Sequence, residues 1–93
     1  MSTYDVQPGQ VWADNDGRAE GRTLLVEEVD STCAVCRTLT NADATQRTLD
    51  AIAAGTWRDS YRPRDRRGTV TRVRLDRFRP TSTGYRLVSQ ITR

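Results

Sequence analysis

Lysine and histidine are both absent from this 93-residue chain, and all fifteen basic residues are arginine. An arginine-only complement, with abundant Ala, Thr and Asp, fits coding by a genome rich in G and C. The absence of histidine removes the one side chain that exchanges a proton near neutral pH without a shifted pKa. Aromatic residues are few, six in all, and hydrophobic residues make up 35% of the chain. No apolar run approaches the ~20 residues that span a bilayer, and no membrane partner is expected. The opening Met1-Ser2-Thr3-Tyr4-Asp5 lacks the basic and apolar parts of a secretory signal, so a cytoplasmic protein is expected. Ninety-three residues suffice for one small domain, 1–93, with a modest core.

Cysteine is almost as scarce. Cys33 and Cys36 are the only two, and a structural zinc site needs four ligands, which a single Cys pair without histidine cannot supply. A redox Cys-x-x-Cys sits at a helix N-terminus, whereas Thr32 to Leu39 reads as a strand. On a strand, residues i and i+3 face opposite ways. Reduced thiols with a packing role are therefore expected. Phosphate-binding glycine loops and dinucleotide fingerprints are also missing. Asp14, Asp16 and Glu20 offer hard oxygen donors, but the spacing of a calcium loop is not met. No cofactor and no metal site is expected.

Charge is unevenly distributed. Residues 1–56 carry four Arg against nine acids, while residues 57–93 carry eleven Arg against three acids. The second half contains Arg66-Arg67-Gly68-Thr69-Val70-Thr71-Arg72-Val73-Arg74-Leu75, then Asp76-Arg77-Phe78, then Gly84-Tyr85-Arg86-Leu87-Val88. Val73 and Leu75 alternate with Arg72 and Arg74, the pattern of a half-buried strand. Phe78 breaks that parity, so 76–78 should turn out of the strand. Gly84 restarts a last strand in which Tyr85 and Leu87 are expected to close the core. Residues after Gln90 are expected to fray.

Ahead of this stretch, Pro8-Gly9 is a turn that leads into a strand at Gln10–Asp14. Residues 15–21 read as a loop, with Gly17 and Gly21 available for positive φ. A second strand covers Arg22–Asp30, and its alternation slips between Val26 and Val29, which indicates a bulge or bend. Asp30-Ser31 turns the chain into a third strand at 32–40, making a hairpin. From Asn41 to Gly55 the period changes. Asp43 with Gln46 offers a cap, Leu49, Ile52 and Ala53 share a helical face, and Gly55 offers a stop. A short helix is expected there, with an extended arm or a loop as the alternative. Residues 56–68 have no hydrophobic period and read as loop.

Short strands at roughly ten-residue spacing indicate an all-β fold. Three strands, an insertion at 42–68, a strand, a tight turn and a last strand make up the order of a small SH3-like β-barrel of about five strands with a short helical insertion. A small open sheet covered by the helix is the alternative.

Four segments, Gly9–Asp16, Gly21–Val26, Leu39–Asn41 and Arg77–Val88, resemble a group of small proteins of actinobacteria and their bacteriophages. The resemblance implies an origin, and for a phage protein a partner in the host; it carries no catalytic residues. Gly9-Gln10-Val11-Trp12, followed by an Arg-containing loop and an apolar strand, is also similar to the start of the MazF/PemK toxin ribonucleases, which are SH3-like barrels. That likeness implies Arg18 or Arg22 as the group that stabilises phosphate charge. Where that family continues Arg-Pro-Val-Leu-Val, this chain has Arg22-Thr23-Leu24-Leu25-Val26.

The functional signal read from the residues themselves is the basic arm. Trp57 and Tyr61 interleave with Arg58, Arg62, Arg64, Arg66 and Arg67, and Arg72 and Arg74 extend the patch, with Arg77 and Arg79 beyond them. Nucleic-acid binders combine cations for phosphates with planar groups for bases. A non-enzymatic module that binds nucleic acid is the expectation. Two other readings stand beside it. The acidic half folds against the basic half and cancels its field, with Trp57 and Tyr61 pinning the loop. Alternatively Trp12, Trp57, Tyr61 and Tyr85 line a groove for a host protein, or an edge strand pairs with a second copy to give a homodimer.

Overall fold

A computed structural model describes residues 6–90. Met1–Asp5 and the segment after Gln90, for which fraying was expected, lie outside the described residues. The fold is mostly β: strands β1 (Gln10–Asp14), β2 (Thr23–Val29), β3 (Cys33–Thr40), β4 (Val70–Arg74) and β5 (Tyr85–Gln90), with one helix, α1 (Asp43–Ala53), between β3 and β4. Two single turns of 3₁₀ helix occupy Gly17–Ala19 and Leu75–Arg77. The strands form one antiparallel sheet in the order β4-β3-β2-β1-β5. The sheet is open, with β4 and β5 as its edges.

Local chemistry accounts for these elements. Val26 pairs with Cys36 and Glu28 with Val35, so the register shifts at the slip in the apolar alternation. The shift leaves Leu24 and Val26 fully buried on one face and sets Glu27 against Arg37 at 2.7 Å on the other. The β2–β3 turn is held by Asp30, whose carboxylate accepts from the backbone N–H groups of Thr32 (2.8 Å) and Cys33 (2.7 Å). This is the side-chain turn that Asp favours. Gly55, at φ 78°, ends α1 with its N–H bonded to Ile52 O at 3.1 Å, a left-handed stop that suits glycine.

The core gathers Trp12, Leu24, Val26, Ala34, Cys36, Val73, Phe78 and Tyr85. Both edge strands contribute, β4 through Val73 and β5 through Tyr85, so the sheet curls around one cluster. Phe78, in the link between the two edges, meets Trp12 edge-on at 5.0 Å and stacks on Tyr85 at 5.4 Å. Gly84 is buried beside this link. A Cβ there would lie 2.9 Å from Arg77 O and closer still to Arg79 O, so only glycine fits.

Several expectations are corrected by the packing. Ala42, not Asp43, occupies the N-cap, with no side-chain cap bond, and Asp43 begins the helix proper. The Asp43 N–H is taken by Glu20 O at 2.6 Å, and Gln46 serves Asn41 and Asp50 instead. No residue of α1 is buried, so its Leu49, Ile52 and Ala53 face does not enter the core and the helix does not cover the sheet. Gly21 alone of the two loop glycines has positive φ. Leu75 has left the strand for the 3₁₀ turn and packs, partly buried, against the core. Leu87 does not close the core: it is 49% exposed. Beyond Tyr85 every β5 residue is exposed, because β5 is an edge strand with a neighbour on one side only, and its register with β1 shifts between Val11 and Trp12.

Both cysteines are free; Cys36 is buried and Cys33 half-buried, as opposite faces of β3 require. Burial pushes the Cys36 thiol up to about 11. Iodoacetamide at pH 8 should therefore modify Cys33 and spare Cys36 in the folded protein, and modify both in denaturant, as read by intact mass. Equal labelling of the two thiols in the folded state would contradict the assignment of Cys36 to the core.

Candidate functional site

The interior face of the sheet is apolar at one end and polar at the other. Arg22, just ahead of β2, is in step with Leu24 and Val26. Thr38 continues the Ala34, Cys36 parity, and Thr71 that of Val73. Asp14 continues that of Trp12 and pairs across strands with Tyr85. At this polar end a groove of about 610 Å³ opens, lined by Arg18, Arg22, Arg72, Arg74 and Arg77 together with Asp14, Asp16, Ala19, Thr71, Val73 and Tyr85. Three separated segments supply the cations: the β1–β2 loop and its exit, β4, and the 3₁₀ turn after it. Curling of the sheet brings them together, because β4 and β1 are not neighbours within it.

Each of these guanidinium groups is held. Arg18 grips Asp16 with two bonds, 3.1 and 2.8 Å, which, with the Arg18 backbone N–H, draws the Asp16 carboxyl down to about 2. Arg22 reaches the buried Asp14 at 3.3 Å. Arg72 pairs with Asp30 at 2.7 Å and Arg74 with Asp76 at 3.6 Å. Arg77 donates to Thr83 O at 3.0 Å and lies 5.7 Å from the centre of the Tyr85 ring. Backbone N–H groups of Thr32 and Cys33, with Arg72, draw the Asp30 carboxyl from 3.8 to about 2. What that pairing adds to stability is fully present above pH about 4 and is lost as pH falls through about 2. Burial raises the Tyr85 hydroxyl above its ordinary value, so it stays protonated and able to donate at neutral pH. Asp14 and Asp16 are thus directed at arginines of the chain itself. Among the described residues no group of three or more His, Cys, Asp or Glu is placed to hold a metal ion.

A second groove, about 410 Å³, adjoins the first through Arg22 and Thr71, which line both; its other walls are Thr38, Asn41, Ala42, Thr45, Arg66, Thr69 and Val70. Its organiser is Asn41, 4% exposed. The Asn41 amide donates to Gln46 Oε1 (2.8 Å) and Asp65 Oδ1 (3.0 Å) and accepts from the Arg66 N–H (2.8 Å). Asp65 is in turn held by Arg67 at 2.7 Å, and these contacts lower its carboxyl well below the usual range, Arg67 first and Asn41 second. One buried amide thus ties α1 to the far end of the basic arm. Replacing Asn41 by Ala should cost about 1–3 kcal/mol, the range for orphaned buried partners. The check is a denaturant titration, together with faster amide exchange at Arg66; unchanged exchange there would show that Asn41 is not the tether.

The nine arginine and aromatic residues singled out from the sequence are distributed among the grooves and the loop between α1 and β4. Arg72 and Arg74 line the first groove and Arg66 the second. Arg67 lines another depression with Gly21, Thr40, Asn41, Asp43 and Gln46. Trp57, Arg58, Tyr61, Arg62 and Arg64 belong to none of these grooves and stay on the loop. There the Trp57 indole N–H donates to Tyr61 O at 2.8 Å, and Arg62 donates to Asp59 O and, at 3.1 Å, to Tyr61 O. Tyr61 is 61% exposed. The four aromatics proposed to share a groove do not share one, because Trp12 is 1% exposed and sealed in the core and only Tyr85 reaches a groove wall. Sequence reasoning missed Asn41 and Thr71 as wall residues and named Arg77 only as an extension of the arm. The parity of Thr71 with Val73 was the signal for one of them.

Few contact ion pairs join the two halves among the described residues. Six ion pairs are formed among the described residues: Arg18–Asp16, Arg22–Asp14, Arg37–Glu27, Arg67–Asp65, Arg72–Asp30 and Arg74–Asp76. Only Arg72–Asp30 crosses from residues 57–93 to residues 1–56. Among the described residues, Arg58, Arg62, Arg64, Arg66, Arg77, Arg79 and Arg86 make no ion pair with a carboxylate. Comparison with protein-family models, with curated proteins and with solved structures found no match.

Proposed function

We propose that the protein is a small non-enzymatic module that binds nucleic acid along the two joined grooves, with the Trp57–Arg67 loop as an outer contact. The observation that carries this reading is the convergence of Arg18, Arg22, Arg72, Arg74 and Arg77 on one groove, while among the described residues a single ion pair links the acidic and basic halves. Arginine suits the role because its planar fork meets phosphate oxygens in pairs. Exposed ion pairs such as Arg72–Asp30 contribute little to stability, so a phosphate can exchange for the carboxylate at small cost. Tyr61, exposed on the loop, offers a face for a base.

The fold reading that goes with this is an SH3-like barrel. It is supported by the β4-β3-β2-β1-β5 strand order, by the 3₁₀ turn between β4 and β5, and by the two sheet edges meeting in one core. An actinobacterial or phage origin, with action inside the host cytoplasm, remains part of the proposal.

Metal-independent ribonuclease activity is the second reading, because Arg18 and Arg22, the two positions implied by the likeness to the MazF/PemK toxins, open onto the same groove. One experiment addresses both. Fluorescence anisotropy with labelled single- and double-stranded DNA and RNA across a salt series should show affinity falling steeply as salt rises, and gels of the recovered RNA should show it intact. Cleaved RNA moves the assignment to the ribonuclease. Absence of binding at low salt removes the nucleic-acid reading and points to a host protein or a second copy of the chain as partner.

A further inference from the structure

We infer that the second groove is a phosphate-binding subsite, with Arg66 and Arg22 as its cations and the hydroxyls of Thr45 and Thr71 as further donors. It deepens the nucleic-acid reading, on which it rests only for the source of the phosphate. Four observations carry it.

The first is charge. The pocket wall contains two guanidinium groups and no carboxylate; Arg22 is shared with Asp14 of the larger groove at 3.3 Å, which leaves Arg66 as the cation without a carboxylate partner among the described residues. The nearest acid of the arm, Asp65, is committed to Arg67 and Asn41.

The second is the way Arg66 is mounted. Its N–H is bound by the buried Asn41 amide at 2.8 Å. Its C=O accepts from the Thr69 hydroxyl at 2.7 Å and from the Thr69 N–H at 3.0 Å. The backbone is fixed on both sides, while the guanidinium makes no hydrogen bond or ion pair among the described residues. A held backbone with an uncommitted cation lowers the ordering cost of binding an oxyanion.

The third is chemistry. Thr45 and Thr71 are donors whose hydroxyls take no partner among the described residues, and hydroxyl and guanidinium donors together match the several acceptor oxygens of a phosphate. The fourth is position. Arg22 and Thr71 belong to both grooves, so a phosphate seated here lies next to the larger groove, where a neighbouring nucleotide of the same strand can sit. A free phosphate compound presents the same oxygens, and the test separates the two sources.

The experiment compares the wild type with Arg66→Gln and Arg66→Lys, using inorganic phosphate followed by amide chemical shifts and a single-stranded octanucleotide followed by anisotropy. The Arg66 side chain supports no other group, so both variants should keep the wild-type melting temperature. Phosphate is expected to shift the amides of Arg66, Thr69 and Thr71 in the wild type, and Arg66→Gln to abolish those shifts. The same change should weaken octanucleotide binding roughly tenfold and reduce the magnitude of the salt slope by about 0.7, the single-strand value for one phosphate. Arg66→Lys should restore the charge-dependent slope but only part of the affinity. If the octanucleotide binds and Arg66→Gln changes neither affinity nor slope, the subsite is overturned while the nucleic-acid reading stands. If phosphate shifts those amides and no oligonucleotide binds, the subsite stands with a free phosphate compound as its ligand, and the nucleic-acid reading fails. Phosphate shifts absent from these amides overturn the subsite.

Discussion

Replacing Phe78 by Ala should lower the unfolding free energy by about 3–5 kcal/mol, the usual cost of emptying a buried phenyl site, a large share of the ~5–15 kcal/mol that holds a domain together. Phe78 is 1% exposed and touches the two other large core rings, Trp12 and Tyr85. Its position makes it more than a space filler. It lies in the link that carries the chain from β4 at one edge of the sheet to β5 at the other, so its ring ties the curl of the sheet to the centre of the core. Arg77 immediately precedes it and Arg74 lies four residues before, so the groove walls are anchored by the same ring. Urea titration should show the midpoint falling sharply for Phe78→Ala and far less for Phe78→Leu. Leu87→Ala, at a half-exposed site on β5, should change it by less than about 0.5 kcal/mol. Equal losses for Phe78→Ala and Leu87→Ala would mean that the core lies elsewhere.

The second large effect concerns binding. Changing Arg72, Arg74 and Arg77 together to Ala should weaken single-stranded nucleic-acid binding by about a hundredfold at low salt and reduce the salt slope by about 2, since each lost phosphate contact on a single strand removes about 0.7. The ion pairs of Arg72 and Arg74 are open to water and Arg77 is exposed, bonded to Thr83 O and beside the Tyr85 ring, so stability should fall by no more than about 1 kcal/mol. Arg47→Ala with Arg86→Ala removes two charges outside the grooves and should change affinity little. Trp57→Ala and Tyr61→Ala should have intermediate effects with an unchanged slope, because stacking is insensitive to salt in the way that counterion release is not. A uniform loss across all arginine variants would indicate an unspecific field in place of a built groove.

The strands were legible because period-2 alternation reports which residues share a face. Gln10–Asp14, the slip after Val26 and the turn at Asp30 all follow from that rule and from the hydrogen-bonding habits of Asp. The short helix was legible from the change of period and from Gly55. The groove was not, since it depends on how far the sheet curls, and alternation does not encode curl. Arg18 and Arg22 stand about fifty residues from Arg72 and Arg74 in sequence, and two strands, β2 and β3, separate β1 from β4 in the sheet. Leu87 misled for a related reason: its parity with Tyr85 is right, but an edge strand leaves half the side chain without a neighbour. Asn41 carried no periodic signal at all. Its role comes from three hydrogen bonds to residues 5 to 25 positions away. The arm reads as one basic-aromatic stretch because its residues lie close together in sequence, and its consecutive Arg66 and Arg67 line different depressions beside Asn41.

The measurement that bears most directly on the central claim is amide chemical-shift mapping of the folded protein with a single-stranded oligonucleotide at low salt. The groove account predicts the largest shifts at Arg18, Arg22, Arg66, Thr71, Arg72 and Arg77, fading as salt is raised. Shifts confined to β5 around Leu87 and Val88, or none at all, would contradict it.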